Sequence, residues 1–247
     1  MLTRDVAPGI HRVEDAHTNW YLVEEDGAIA IVDAGVPHTS WSLLHDALRQ
    51  LGRTAADLRA LVLTHAHFDH IGFAERARRE LGLPVLVHRD DVHLTKEPRD
   101  YKRERTPLYY VLTKPRAFPI VAGFLRRRAF WPRPISQVTP YVDGTLDVPG
   151  RPHVVFTPGH TFGHCALHYP ERDALIAGDA IVTLNPYTGE HGPQLVARAA
   201  TADTAEALRS LDAVAGTGAQ TVLTGHGEPW RRGAAAMADE ARRAGVS

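Results

Sequence analysis

Four of six consecutive residues in His65-Ala66-His67-Phe68-Asp69-His70 carry side chains that bind transition metals. Imidazole suits zinc, copper, iron or nickel, and a carboxylate adds affinity for harder ions. In an extended segment residues 65, 67 and 69 point one way and residue 70 another, so one short loop can serve two neighbouring ions. A chance cluster on a histidine-rich surface loop would explain a lone histidine, but it does not explain a pattern that recurs. Val62-Leu63-Thr64-His65, Val155-Phe156-Thr157-Pro158-Gly159-His160 and Val222-Leu223-Thr224-Gly225-His226 share one plan: an apolar strand, a threonine, then a histidine where the strand ends. Ala174-Leu175-Ile176-Ala177-Gly178-Asp179 follows it with an aspartate. Strand ends are where α/β sheets place ligands. Gly159, Gly178 and Gly225 precede these ligands, and glycine permits tight turns that aim them. The expected metal ligands are His65, His67, Asp69, His70, His160, Asp179 and His226. That is too many for one four-coordinate zinc. Two divalent ions per chain are expected, zinc first, with iron or manganese as alternatives.

Such ligands need strands that end together and helices that support them. Residues 19–33 read as a β-hairpin around Asp26-Gly27. Residues 39–51 read as an amphipathic helix, with Trp41, Leu44, Leu48 and Leu51 at helical spacing and Gly52 as its stop. Leu61-Val62-Leu63 reads as a buried strand, 71–81 as a helix ending at Gly82, and Pro84-Val85-Leu86-Val87 as another strand. Strands follow near 153–157, 164–169 and 173–177, then a helix over 203–215, a strand at Thr221-Val222-Leu223 and a closing helix over 233–243. Strands then helix, twice over, predict two packed sheets with helices outside. The expectation is an α+β fold in a single domain over 1–247.

Residues 95–135 interrupt that rhythm with six prolines. From Lys96 to Arg133 eleven basic side chains face three acidic ones, a local charge of +8 in a chain of net −1. The same stretch holds seven aromatics, from Tyr101 to Trp131. Three readings stay open: a solvated basic face, a homodimer or membrane-surface patch, or a lid over the metal groove. The lid reading implies a small-molecule substrate that is anionic with an apolar part, and puts Arg126, Arg127 and Arg128 on its charge.

The 247 residues are 44% hydrophobic and 23% charged, ordinary for a globular chain. The net charge supplies no global field toward nucleic acid. Cys165 is the only cysteine, so no intramolecular disulfide forms. The N-terminus lacks the apolar stretch of a signal peptide, and no run approaches a membrane span. These features lead us to expect a cytoplasmic protein without a membrane span.

With its motifs in place, the chain resembles the metallo-β-lactamase superfamily. The likeness runs from Asn19-Trp20-Tyr21-Leu22 through Val32-Asp33-Ala34-Gly35 to Gly225-His226-Gly227. It implies a four-layer αβ/βα sandwich with the metals in a groove at one edge. It also implies His65, His67 and His160 on a first ion, Asp69, His70 and His226 on a second, and Asp179 bridging both. Asp33 would support the ligand loop from beneath. In the mechanism that follows, a hydroxide between two ions about 3.5–4 Å apart attacks an ester, thioester or lactone carbonyl. One metal polarises the substrate oxygen. Asp69 or a metal-held water protonates the leaving group. The chain has no Gly-x-Ser-x-Gly elbow, so a serine hydrolase is excluded.

The resemblance also bears on the reaction. A bridging aspartate is typical of glyoxalase II-like thioesterases, lactonases and phosphodiesterases, and absent from true metallo-β-lactamases. Ester, thioester or lactone hydrolysis is therefore expected. Phosphodiester hydrolysis is the alternative, and β-lactam hydrolysis would be a side activity. Glyoxalase II carries a helical substrate-binding domain after its last histidine ligand; the 21 residues after His226 are too few for one, which counts against glutathione thioesters. A non-catalytic binding protein on this fold would show lost ligands, and all seven are present. Tyr187 and His191, on a loop after Asp179, are the candidate substrate contacts. His164 is either a partner of the ligands or a structural histidine, and Cys165 reads as a core residue.

Overall fold

Alternate side chains of a strand face opposite ways, and in the central strands of this protein both faces are buried. The computed structural model describes residues 1–247. Its first sheet runs in sequence order through β1 (Leu2–Ala7), β2 (Ile10–Asp15), β3 (Thr18–Glu25), β4 (Ala28–Val32), β5 (Leu58–Val62), β6 (Val85–His88) and β7 (Thr139–Tyr141). The first four strands pair antiparallel, and β4 to β7 pair parallel. The second sheet holds β8 (Gly144–Thr145), β9 (His153–Phe156), β10 (Cys165–Tyr169) and β11 (Ala174–Gly178). A separate ribbon, β12 (Val182–Leu184) and β13 (His191–Gln194), comes next; β14 (Thr221–Thr224) then returns beside β11 in parallel. Outside lie α1 (Thr39–Gln50), α2 (Ala74–Leu81), α3 (Val92–Lys96), α4 (Pro107–Thr113), α5 (Phe118–Arg126), α6 (Thr204–Gly216) and α7 (Ala234–Ala244).

Three cores follow from the alternation. Leu22, Ile29, Ile31 and Leu61 face outward and pack on Trp41, Leu44 and Leu48 of α1 and Ala74 and Ala77 of α2. Their neighbours Tyr21, Val23, Ala30, Val32 and Val62 face inward and meet Cys165, Leu167, Ile176 and Leu223 of the second sheet. Leu175, Ala177 and Val222 face out again, onto Leu211 and Val214 of α6 and Met237 and Ala238 of α7. The layers are therefore helix, sheet, sheet, helix: the two packed sheets with outer helices that the patterning predicts, and the αβ/βα sandwich that the resemblance implies. No helix is long and apolar enough to cross a membrane.

Two expectations shift. The predicted helix over 71–81 begins only at Ala74, because residues 70–73 zip onto another loop. Gly72 N–H donates to Gly35 O at 2.9 Å and Phe73 N–H to Ala34 O at 3.1 Å, so these donors are already used. Strands β1, β2, β7, β8, β12 and β13 are absent from the sequence reading. Polar stretches such as Leu2-Thr3-Arg4-Asp5 carry little apolar alternation, and pairing to a neighbour makes them strands.

Residues 92–135 form α3, α4 and α5. Proline begins α4 at its first position, where no N–H is needed, and Thr106 caps it. The segment packs on the body through Phe68, whose ring lies 4.9 Å from Phe130 and 5.9 Å from Phe124. Glu104 accepts the Thr204 N–H at 2.8 Å and its hydroxyl at 2.6 Å, and Tyr110 donates to Ser247 O at 2.8 Å.

Candidate metal centre

Parallel strands bring their C-terminal ends to one edge. β5 and β6 of the first sheet and β11 and β14 of the second run parallel to neighbours, and β9 is antiparallel to β10, which is antiparallel to β11. The residues after β5, β9, β11 and β14 are the sequence-predicted ligands. The structure brings all seven together, every one buried. His65, His67 and His160 form one group and Asp69, His70 and His226 a second, with donor atoms inside each group within 4.8 Å of one another. Asp179 lies between them. Its Oδ2 is 3.4 Å from His160 Nε2 and 3.3 Å from His226 Nε2, and its Oδ1 is 3.7 Å from His70 Nε2.

The grouping corrects one detail of the sequence reading. Residues 65, 67 and 69 do not share a direction. The loop turns at its middle, with His70 N–H donating to His67 O at 3.0 Å, and the turn carries Asp69 across to the side of His70.

A metal fits these residues on chemical grounds. Buried polar atoms normally have partners, yet Nε2 of His65, His67, His70 and His160 and Oδ1 of Asp179 have none. Outer contacts fix which nitrogen faces inward. His226 Nδ1–H donates to His17 O at 2.8 Å, and His70 Nδ1–H to Asp33 Oδ2 at 3.0 Å. His65 Nδ1 lies 3.0 Å from Thr64 Oγ1, which itself donates to Asp33 Oδ2 at 2.8 Å. In each case Nε2 keeps a lone pair directed at the centre, as metal-bound histidines do. Asp33 also lies within 4.8 Å of His65 and His70 donors. Its oxygens, however, are taken by His70, the Thr64 hydroxyl and Thr64 N–H at 2.8 Å. Asp33 therefore orients ligands from beneath.

Without cations the cluster is electrostatically divided. Burial, reinforced by neighbouring histidines, holds His65 well below its ordinary range; burial likewise brings His67 down to about 4. Burial also opposes charge on His70, but the carboxylates of Asp179, Asp69 and Asp33 outweigh it and raise His70 to about 9. Asp179 is held well below the carboxylate range by His226, His70 and His160 despite burial. His65, His67 and His160 thus offer neutral imidazoles and Asp179 an ionised carboxylate, the forms that ligate metal, while His70 and His226 hold protons that a bound cation would displace.

Several supporting residues escaped the sequence reading. Asp91, fully buried, accepts Ala66 N–H at 3.0 Å, the Thr161 hydroxyl at 2.7 Å and Gly163 N–H at 2.8 Å. It ties the loop of His65 and His67 to the loop of His160. The signal was present, since Asp91 follows β6 as the ligands follow their own strands. Tyr141 donates to Leu63 O at 2.8 Å, and Asn19 Nδ2 to Thr224 O at 2.9 Å and Gly227 O at 2.7 Å, steadying two strand ends. His164 proves to be a partner of the ligands: Asp179 N–H donates to its Nε2 at 3.0 Å, and its Nδ1 meets Thr157 Oγ1 at 2.8 Å. Cys165 is a core residue, its thiol pushed up by burial.

A cavity of about 370 Å³ lies against Phe68 of the ligand loop, with none of the seven candidate ligands in its lining. Phe68, Tyr101 and Tyr187 line the cavity, and Tyr101 packs on the His67 ring at 4.5 Å. His191 lies apart, in a different groove with Glu14, His17 and Trp230. The expected triplet Arg126, Arg127 and Arg128 does not line the cavity; Arg127 pairs instead with buried Asp15 at 2.6 Å. The arginines at the cavity are Arg99 and Arg103.

Comparison with known proteins agrees with this geometry. The family model described as the metallo-beta-lactamase superfamily matches residues 13–226, and the chain belongs to that superfamily. It is 28% identical over 243 residues to the Probable metallo-hydrolase YflN of Bacillus subtilis (strain 168), covering 91% of this chain and 86% of that one. The crystal structure of the metallo-beta-lactamase family protein TTHA1429 from Thermus thermophilus superposes with a TM-score of 0.69 at 27% identity, over 94% of this chain and 78% of the other. TTHA1623, solved in a di-iron-bound form, superposes with a TM-score of 0.63 at 25% identity, over 89% and 92%.

Proposed function

We propose that the protein is a binuclear metal-dependent hydrolase of ester, thioester or lactone carbonyls. The observation that carries this reading is the set of six partnerless buried polar atoms on five residues, His65, His67, His70, His160 (both ring nitrogens) and Asp179, gathered at one sheet edge. His65, His67 and His160 would hold one ion, Asp69, His70 and His226 the other, with Asp179 shared. Bound ions would supply a water acidified to near neutral pH and a Lewis acid for the substrate oxygen. The imidazole-rich set favours zinc, and the di-iron form of TTHA1623 keeps iron as an alternative.

The chain's own groups complete the reaction. Asp69 is ionised, because His70 and His226 outweigh the effect of its burial. In this reading it starts as a proton acceptor and then becomes the donor to the leaving group. It takes the proton of the attacking water and passes it to the leaving oxygen or sulfur, while the water oxygen ends on the acyl carbon. Phe68, Tyr101 and Tyr187 form an aromatic wall beside the cluster, which suits an acyl group. Arg99 and Arg103 at the same cavity favour a second reading, phosphodiester hydrolysis on the same donors.

Elemental analysis of protein purified without chelator should give two equivalents of metal per chain. A screen of thioesters, lactones, β-lactams and phosphodiesters should show turnover on the first two. One equivalent after full reconstitution would overturn the binuclear reading. Turnover confined to phosphodiesters would replace the carbonyl reading with the second one.

A further inference from the structure

The cavity beside the ligand loop has two chemistries in one space. Nine of its twelve lining residues are hydrophobic, and two of the others are arginines. Tyr110, Val111, Phe118, Val121 and Phe130 come from α4, α5 and the turn after α5 and make an apolar wall, in which Tyr110 is buried, Val121 and Phe130 are half-buried and Val111 and Phe118 are exposed. Arg99 and Arg103 are exposed, so their guanidinium groups stand at the opening. The nearby carboxylate of Glu104 is engaged by Arg198 and Thr204 rather than by these two. Arg103 lies 5.4 Å from the Tyr101 ring centre, and Tyr101 in turn packs on His67. Cationic opening, apolar wall and metal ligands therefore adjoin through Tyr101.

We infer that this cavity binds the apolar chain of an anionic acyl substrate, with Arg99 and Arg103 taking its negative group. The inference rests on the hydrolase reading for the fate of that substrate, and on the cavity alone for its binding. A volume of about 370 Å³ lies at the lower end of small-molecule sites. It has room for one acyl chain and is too small for a folded partner. A neutral apolar ligand would leave the guanidinium groups unused. A small anion without a chain would leave the apolar walls wet. A ligand with both parts satisfies both.

The test uses the metal-replete protein and a series of n-alkyl phosphates from butyl to decyl, followed by titration calorimetry. With the head constant, any contact between phosphate and metal is the same throughout the series. Each added methylene should tighten Kd about fourfold, the equivalent of ~0.8 kcal/mol for burying one CH₂. Val121→Trp should fill the cavity and flatten that slope. Arg99→Gln with Arg103→Gln should weaken every member by one common factor, about tenfold, and keep the slope. Circular dichroism and metal content report whether each variant is folded. A wild-type Kd independent of chain length overturns the inference, whatever the variants do. So does an arginine effect that vanishes for the charged series. A chain-length slope without turnover of any ester or thioester upholds the binding site and removes the hydrolase reading; turnover without a slope does the reverse.

Discussion

Asp33 Oδ2 lies 3.0 Å from His70 Nδ1, and both side chains are fully buried. The same carboxylate receives the Thr64 N–H and hydroxyl, so one residue after β4 orients ligands of both groups. Asp33→Ala leaves three donors without an acceptor. Loss of such an outer partner typically costs 10–100-fold in metal affinity. Competition against a chelator should show a loss of that size, and unchanged affinity would show that Thr64 and His70 are oriented by other contacts.

Asp91 gives an independent check, because it touches no ligand side chain. Its three acceptor contacts join Ala66 to Thr161 and Gly163. Asp91→Ala should loosen the group of His65, His67 and His160 and leave that of Asp69, His70 and His226 intact. The expected result is one weakly and one tightly held metal, resolved by stepwise chelation. Equal weakening of both would mean that Asp91 stabilises the fold as a whole.

Gly225 is required for space. A Cβ there would overlap Asp179 Oδ1 and sit 2.8 Å from His70 Cε1. Its position before a ligand suggests a tight turn, but its φ is not positive; Gly159, with φ of 127°, does need glycine. Gly225→Ala should displace the Asp179 carboxylate and reduce turnover by more than the roughly 10–100-fold that follows loss of an orienting partner. The circular dichroism spectrum should be retained. Full turnover in the alanine variant would show that Asp179 is not needed where it stands.

Arg127 pairs with Asp15, whose other oxygen accepts the Thr39 and Ser40 hydroxyls at the start of α1. Arg127→Gln should cost about 1 kcal/mol in denaturant unfolding, since the carboxylate is buried and the arginine half-exposed. Arg126→Gln and Arg128→Gln, at positions without such a partner, should stay within about 0.5 kcal/mol of wild type. Equal effects from all three would point to the overall charge of the segment.

Glu75 supplies an acid-sensitive contact. Arg78 at 2.9 Å, with the Ser136 N–H and hydroxyl, brings its carboxyl down to about 2. A carboxyl lowered on folding stabilises fully above its unfolded value of about 4.3, and the contribution fades as pH falls toward the folded value. Glu75→Gln should therefore be about 2 kcal/mol less stable than wild type at pH 7, with a gap that narrows from about pH 5 down to about pH 2. A gap constant with pH would assign the loss to hydrogen bonding alone.

The layers and the ligand types are legible in the order of residues. Unbroken apolar runs such as Ala28–Val32 mark strands buried on both faces, and the strand–threonine–histidine plan marks their ends as one edge. Both signals are local, because periodicity and strand termination act over a few residues. How the ligands divide is settled by folding instead. Asp69 joins His70 and His226 because the loop turns after His67, and a strand pattern carries no trace of that turn. Folding also settles which arginines meet the cavity. Composition sums the charge of residues 96–133, whereas the packing of α5 sends Arg127 to Asp15 and leaves Arg99 and Arg103 beside Tyr101. Asp91 and Asp15 gain their roles only from partners many residues distant, and such contacts exist only once the two sheets and the inserted helices have packed.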